Sequence, residues 1–282
     1  MEQRVAAGVN RVAGQVRRRI PTDGRLHRGL RRVRRVLPQE RPAIDHPFSQ
    51  VIYEFGRGCR DAAFVQVGAN DGEQRDPLRH EIQTTSWHGL MIEPVPYVFD
   101  RLRRNYGGHD RITLVNAAVA DEDGSRTLYY LPESDDDGLP QWYDALASFR
   151  EDVLRKHVEF IPDIDERIAS MDVPCRTFDS LCAEHALATV DVIQIDTEGF
   201  DWEVIKLIDL DRYRPTLLMF EHYHLSDDDK TASWRHLRAH GYEVYTDVMD
   251  ALCLRVAPVG GASKRVRKVW REIGGDHRVE VP

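Results

Sequence analysis

The stretch Ala63-Phe64-Val65-Gln66-Val67-Gly68-Ala69-Asn70-Asp71-Gly72 constrains the fold most. It begins as a short apolar strand and ends in a turn of glycine, asparagine and aspartate. A strand that breaks into such a turn before a helical region is how doubly wound α/β proteins build a nucleotide-binding lip. Glycine lets the backbone take φ > 0 and lets a ligand come close, because no Cβ intervenes. Asn70 and Asp71 tolerate the left-handed region and bond their own backbone. Taken alone, the stretch also reads as a strand with an ordinary surface turn.

The following segments sharpen the reading. His88–Ile92 is a second buried strand ending at Glu93, 25 residues past Gly68. An acid about 20 residues beyond a glycine turn accepts the ribose hydroxyls of a nucleotide cofactor. Residues 96–106 form a helix with Val98, Phe99 and Leu102 inward. Ile112–Asn116 is a third strand, and Asn116-Ala117-Ala118-Val119 leaves room for a flat ring, so it is the candidate adenine wall. Asp121–Gly124 reads as a hairpin turn with Arg126–Leu131 as its return strand. Residues 132–170 are an irregular insertion carrying Trp142, Tyr143, Phe149 and Phe160. They read as a lid or acceptor pocket, or as a flap over one face of the sheet. Thr177 or Asp179 opens the next helix.

The near-continuous apolar run Val190–Ile195 implies burial on both faces, as in a parallel sheet. It delivers Asp196 and Glu198 to a carboxyl end, where open α/β sheets bind ligands. Thr216–Phe220 delivers Glu221, His222 and His224 to the same edge. A helix over 227–240 leads to two closing strands, 242–247 and 252–256, and a basic helix spans 264–273.

Composition sets the class. At 282 residues, 41% hydrophobic and 30% charged, the chain suits one α/β domain with appendages. The organisation read here is a basic helical arm and linker (1–47), a core domain (48–258) holding the 132–170 insertion, and a basic tail (259–282). Residues 1–45 hold twelve arginines, no lysine and four acids, a net +8; the chain totals −8, so residues 46–282 carry −16. An acidic body argues against nucleic-acid binding. The basic arm has a modest aliphatic stripe (Val5, Val9, Val12, Val16, Ile20), which suits peripheral contact with an anionic membrane or a helix packed on the body. Cys59, Cys175, Cys182 and Cys253 lack metal or disulfide spacing, which suits a reducing, cytoplasmic compartment, with contact at the inner membrane face left open.

The segments Phe64–Gly72, Met91-Ile-Glu-Pro94, Asn116–Val119, Ile195-Asp-Thr-Glu-Gly199 and Phe220-Glu221 together resemble the FkbM family of S-adenosylmethionine-dependent methyltransferases, from about residue 62 to 256. The resemblance implies a class I, Rossmann-like methyltransferase sheet, parallel apart from an antiparallel closing hairpin. It implies that Gly68, Ala69, Asn70 and Asp71 line the methionine part of S-adenosylmethionine, that Glu93 holds the ribose, that Asn116 and Ala117 flank the adenine, and that Asp196 sits near the reactive methyl. It implies O-methylation of a small molecule or sugar. Many members carry Asp where this chain has Gln66, so only a carbonyl is offered there to the cofactor's amino group.

Methyl transfer to an alcohol needs an oriented oxygen and a proton acceptor. The candidates are Asp196, Glu221 and His222, with His222 favoured because histidine titrates near neutrality. Strand alternation turns Glu221 and His222 to opposite sides, so one of the two is structural. Glu198, His224 and Trp142 are candidate acceptor contacts. Asp196, Glu221 and His222 also resemble the cluster by which catechol-type O-methyltransferases hold magnesium; the metal question stays open. Two rivals remain. A nicotinamide-dependent oxidoreductase would share the turn and Glu93 but should show a fuller G-x-G-x-x-G. A non-catalytic cofactor-binding scaffold would dock through its basic ends.

Overall fold

The computed structural model describes residues 46–256 and 263–277. The basic arm and its membrane contact, read on residues 1–45, lie outside the described residues. A helix over Pro47–Gly58 leads into β1 (Ala63–Val67). Then come β2 (His88–Ile92), β3 (Ile112–Val115), β4 (Ala118–Val119), β5 (Gly124–Tyr130), β6 (Ala147–Ser148) and β7 (Ala169–Arg176). The chain closes with β8 (Val192–Ile195), β9 (Leu217–Glu221), β10 (Tyr242–Thr246), β11 (Asp250–Arg255) and a helix over Lys264–His277.

Seven strands form one sheet in the order β10-β11-β9-β8-β1-β2-β3. β3, β2, β1, β8 and β9 run parallel, and β11 lies antiparallel to both β9 and β10. This is the mostly parallel sheet with an antiparallel closing hairpin expected of a class I methyltransferase. The strand order reverses at β1, and that switch point opens a crevice beyond the carboxyl ends of β1, β2 and β8.

Period-two alternation divides the sheet's side chains between two cores. Val65, Val67, Ile193, Ile195, Leu218 and Phe220 pack with Phe178 and Leu181 of the helix over Phe178–Glu184 and with Val204 and Ile205 of the helix over Asp201–Leu207. Phe64, Val192, Leu217 and Met219 face the other way, onto Phe48, Val51, Ile52 and Phe55 of the first helix. The C-terminal helix joins this second core. Trp270 is 2% exposed, stacks on Tyr245 at 3.9 Å between ring centroids, and donates through Nε1 to Glu243 at 2.6 Å. The segment the sequence sets apart as a tail thus covers the sheet.

One expectation is corrected and one open alternative is resolved. Residues 121–124 do not close a hairpin, because β4 and β5 both flank β7, parallel and antiparallel respectively, in a second sheet ordered β4-β7-β5-β6. The eight-residue β7 alternates polar and apolar side chains as a half-buried strand does, but Pro174 within it speaks against a strand and its partners lie far away in sequence. Thr177, not Asp179, caps the helix that follows, accepting from Ser180 N at 3.0 Å.

Candidate active site

The crevice is a cleft of about 640 Å³, counting its open mouth. Gly68 and Asn70 of the first turn, Glu93 after β2, Ala117 before β4, and Asp196 and Glu198 after β8 all line it. The candidates come from four loops, and the sheet order alone brings them together.

The first turn is locked to its neighbours. The N–H groups of Gly68 and Ala69 both donate to the Ile92 carbonyl, at 2.9 Å each. Gly68 has φ +75°, and a Cβ there would fall 1.7 Å from the Asp196 carbonyl oxygen, so only glycine fits. Asn70 takes φ +48° and donates through its N–H to Glu93 Oε2 at 3.0 Å. Glu93 Oε1 accepts from Val95 N at 2.9 Å. Each carboxylate oxygen is thereby fixed while keeping a further lone pair. Burial pushes the Glu93 carboxyl up to about 7, against the opposing pull of those two N–H groups.

Four of the expected cofactor contacts stand behind the lining. Asp71 accepts from the N–H groups of Glu73 and Gln74, at 2.8 and 2.9 Å, and so builds the turn. Ala69 is buried in the core. Asn116 spends its amide on the carbonyls of Glu93 and Pro94, at 2.8 and 3.1 Å. Gln66 is buried on the other face and donates to Asp76 at 3.0 Å; its Oε1 has no hydrogen-bond partner among the described residues.

The loop Asp196–Phe200 forms the second wall. Asp201, fully buried, organises it by accepting from Thr197 Oγ1 at 3.0 Å and Gly199 N at 3.3 Å. Glu198 adopts φ +51°, unusual for a residue with a side chain and often found at functional positions. Asp196 is exposed at the cleft; the protein packed around it, with Glu198 and Asp201 close by, raises its carboxyl above the usual range.

The catalytic candidates separate. Glu221 is 7% exposed, and its carboxyl is pushed up to about 12 by burial and then by Glu198 and Asp196. His224 is buried with Nε2 3.1 Å from Glu198 Oε2 and 3.9 Å from Glu221 Oε1. His222 points elsewhere. Its Nε2 lies 3.0 Å from the Asp247 carbonyl and its ring packs near Trp234, so the alternation along β9 turns Glu221 toward the cluster and His222 away. Trp142 packs on His157 and Phe160 within the insertion and is not part of the cleft lining.

Sequence reasoning missed several residues. Ala145, Ala147 and Ser148 bring the insertion into the wall beside Phe149, one of the aromatics the sequence places there, and Thr197 and Phe200 complete the loop. Ser148, 1% exposed, donates to the Glu198 carbonyl at 2.7 Å, which ties the insertion to the loop after β8. Phe149 meets Phe200 edge-on at 5.1 Å beneath Arg126. His157 joins Glu198 and His224. No spacing in the chain signals these residues; the one available cue was the aromatic content of the insertion.

Residues 66–244 match the family model described as the methyltransferase FkbM domain. The chain is 27% identical over 146 residues to the 2-O-methyltransferase NoeI of Sinorhizobium fredii (strain NBRC 101917 / NGR234). That match spans 51% of this chain and little more than half, 56%, of the relative. Among solved structures, similarity extends to a methyltransferase FkbM from Methylobacillus flagellatus KT, at 17% identity and TM-score 0.44, over 69% of this chain and 44% of that one. It extends also to a precorrin-6y C5,15-methyltransferase from Geobacter metallireducens GS-15, at 12% identity and TM-score 0.40, over 76% and 90% of the two chains.

Proposed function

Because this chain belongs to the FkbM methyltransferase family, we propose that it is an S-adenosylmethionine-dependent O-methyltransferase acting on a hydroxyl of a small molecule or sugar. The observation that carries the reading is the arrangement of acids around one turn. Glu93 and Asp196 end the two strands that flank β1, and both line the cleft beside Gly68. A fixed carboxylate at Glu93 suits a ribose cis-diol, and the small Ala117 beside it suits an adenine edge. The similarity to a 2-O-methyltransferase supports oxygen as the acceptor atom.

Bound S-adenosylmethionine would supply an activated methyl group, the acceptor's oxygen–carbon bond forming as the carbon–sulfur bond breaks and that bond's electron pair staying on the sulfur of S-adenosylhomocysteine. The proton of the acceptor passes to Asp196. We assign it there rather than to His222, which has turned to the Asp247 carbonyl. The protein's contribution is orientation and a proton acceptor.

The test is transfer of an isotopically labelled methyl group to a panel of hydroxylated carbohydrates and small molecules, read by mass spectrometry. Labelled ether product should appear with the unmodified chain. Asp196→Asn should lower turnover by about 10²–10⁴-fold while still binding S-adenosylhomocysteine. Labelled amine or carbon product, or undiminished turnover in Asp196→Asn, would count against the assignment.

A further inference from the structure

Beside the cleft, next to its lining residues Asp196 and Glu198, stands a group of side chains that methyl transfer alone does not require. His157 comes from the short turn Lys156–Glu159 of the insertion, Glu198 from the loop after β8, and His224 from the loop after β9. One ligand atom from each lies within 4.8 Å of the other two. Glu221 adds a carboxylate beside them, and Asp196, Glu198 and Glu221 meet the same 4.8 Å limit among themselves.

Within the group His224 Nε2 and Glu198 Oε2 pair at 3.1 Å, while His157 Nε2 and Glu221 Oε2 are buried and have no hydrogen-bond partner among the described residues. Glu221 is 7% exposed. Burying carboxylates together without compensation is strongly unfavourable, and a bound cation inverts that balance. The backbone is also shaped to bring the three segments in. Gly199 takes φ +90°, and a Cβ there would stand 3.0 Å from Val153 Cγ2 and 3.2 Å from His224 Cβ. Glycine at this position lets the insertion and the His224 loop close on the Glu198 turn.

We propose that His157, Glu198 and His224 bind a divalent first-row transition cation beside the cleft, with Glu221 as an adjacent acid. Donor atoms bound at about 2.0–2.2 Å from such an ion stand roughly 3–3.5 Å apart, so small side-chain rotations close the set. Two imidazoles and a carboxylate suit zinc, manganese, iron(II) or cobalt better than magnesium, which prefers oxygen alone. Three protein ligands leave coordination positions open. The ion would clamp the insertion to the sheet edge and hold the acceptor oxygen. Only this last role rests on the methyltransferase reading.

The full chain, stripped with a chelator, would be titrated with cobalt(II) by visible absorption and with zinc by calorimetry. Binding of S-adenosylhomocysteine would be measured in parallel. One equivalent should bind, with a cobalt spectrum of nitrogen and oxygen ligation. Affinity should fall at least about tenfold in His157→Ala, His224→Ala and Glu198→Gln. His157→Ala, a change in a partly exposed turn, should keep the unmodified circular dichroism and thermal melt and should still bind S-adenosylhomocysteine. Absence of cobalt and zinc binding by the folded chain, or equal binding in all three variants, would overturn the site. Cobalt binding without S-adenosylhomocysteine binding would leave the cation site standing and remove the methyltransferase reading; the reverse would do the opposite.

Discussion

Glu93 shows how a single carboxylate links burial to ligand binding. Its carboxyl is raised from an ordinary 4.5 to about 7 by burial. The sign follows from linkage. The folded state holds its proton more tightly than the unfolded one, so the stabilising contribution is complete below 4.5 and is lost as pH rises through about 7. A ribose diol favours the ionised form, which accepts from both hydroxyls. Affinity for S-adenosylhomocysteine should therefore rise from pH 5.5 toward about 7 and level off above it. Glu93→Gln should bind more weakly and flatten that profile, as calorimetry across the pH range would show. A profile unchanged by the substitution would place the titrating group elsewhere. Glu93 was legible in the sequence because strand, turn and spacing converge on it. His157 was not, since its partners lie at positions 198 and 224, and only folding removes that separation.

Among the elements, the turn after β1 and the C-terminal helix make opposite kinds of demand. The turn tolerates nothing larger than hydrogen at Gly68, where a Cβ would collide with the Asp196 carbonyl. Gly68→Ala should displace the Asp196 loop and abolish S-adenosylhomocysteine binding while the far-UV circular dichroism stays native. Retained affinity would mean that the two loops can separate without loss. The helix over Lys264–His277 contributes a buried ring instead. Trp270→Ala should cost about 3–5 kcal/mol in chemical denaturation, against less than about 1 kcal/mol if the helix were only a solvated tail. The strands of the main sheet were readable because each is a short, nearly continuous apolar run ended by a polar loop. The second sheet was not, because β7 mixes Asp172, Pro174 and Arg176 with its buried residues and takes its order from partners distant in sequence. His222 was a candidate because it follows β9, but the alternation that exposes Glu221 to the cluster turns its neighbour away.

At the scale of the whole molecule, seven strands in one order bring residues from across the chain to a single edge. Gly68, Asn70, Glu93 and Ala117 stand at consecutive strand ends and were visible in the sequence, whereas Gln66, Ala69, Asp71 and Asn116 stand behind the lining. The His157, Glu198 and His224 group is assembled from the insertion and two later loops, and no local pattern records it. Among the described residues no helix is long and apolar enough to cross a membrane. The proposed function requires that the cleft at the β1 switch point bind S-adenosylmethionine through Glu93. The most direct measurement is calorimetric titration of the full chain with S-adenosylhomocysteine, beside Glu93→Ala and beside a nicotinamide dinucleotide. Saturable one-to-one binding should be seen, weakened at least about tenfold by the substitution, since charge-assisted hydrogen bonds contribute ~1.5–3 kcal/mol. The dinucleotide should give no comparable heat. Absence of saturable binding, or equal affinity in Glu93→Ala, would contradict the claim.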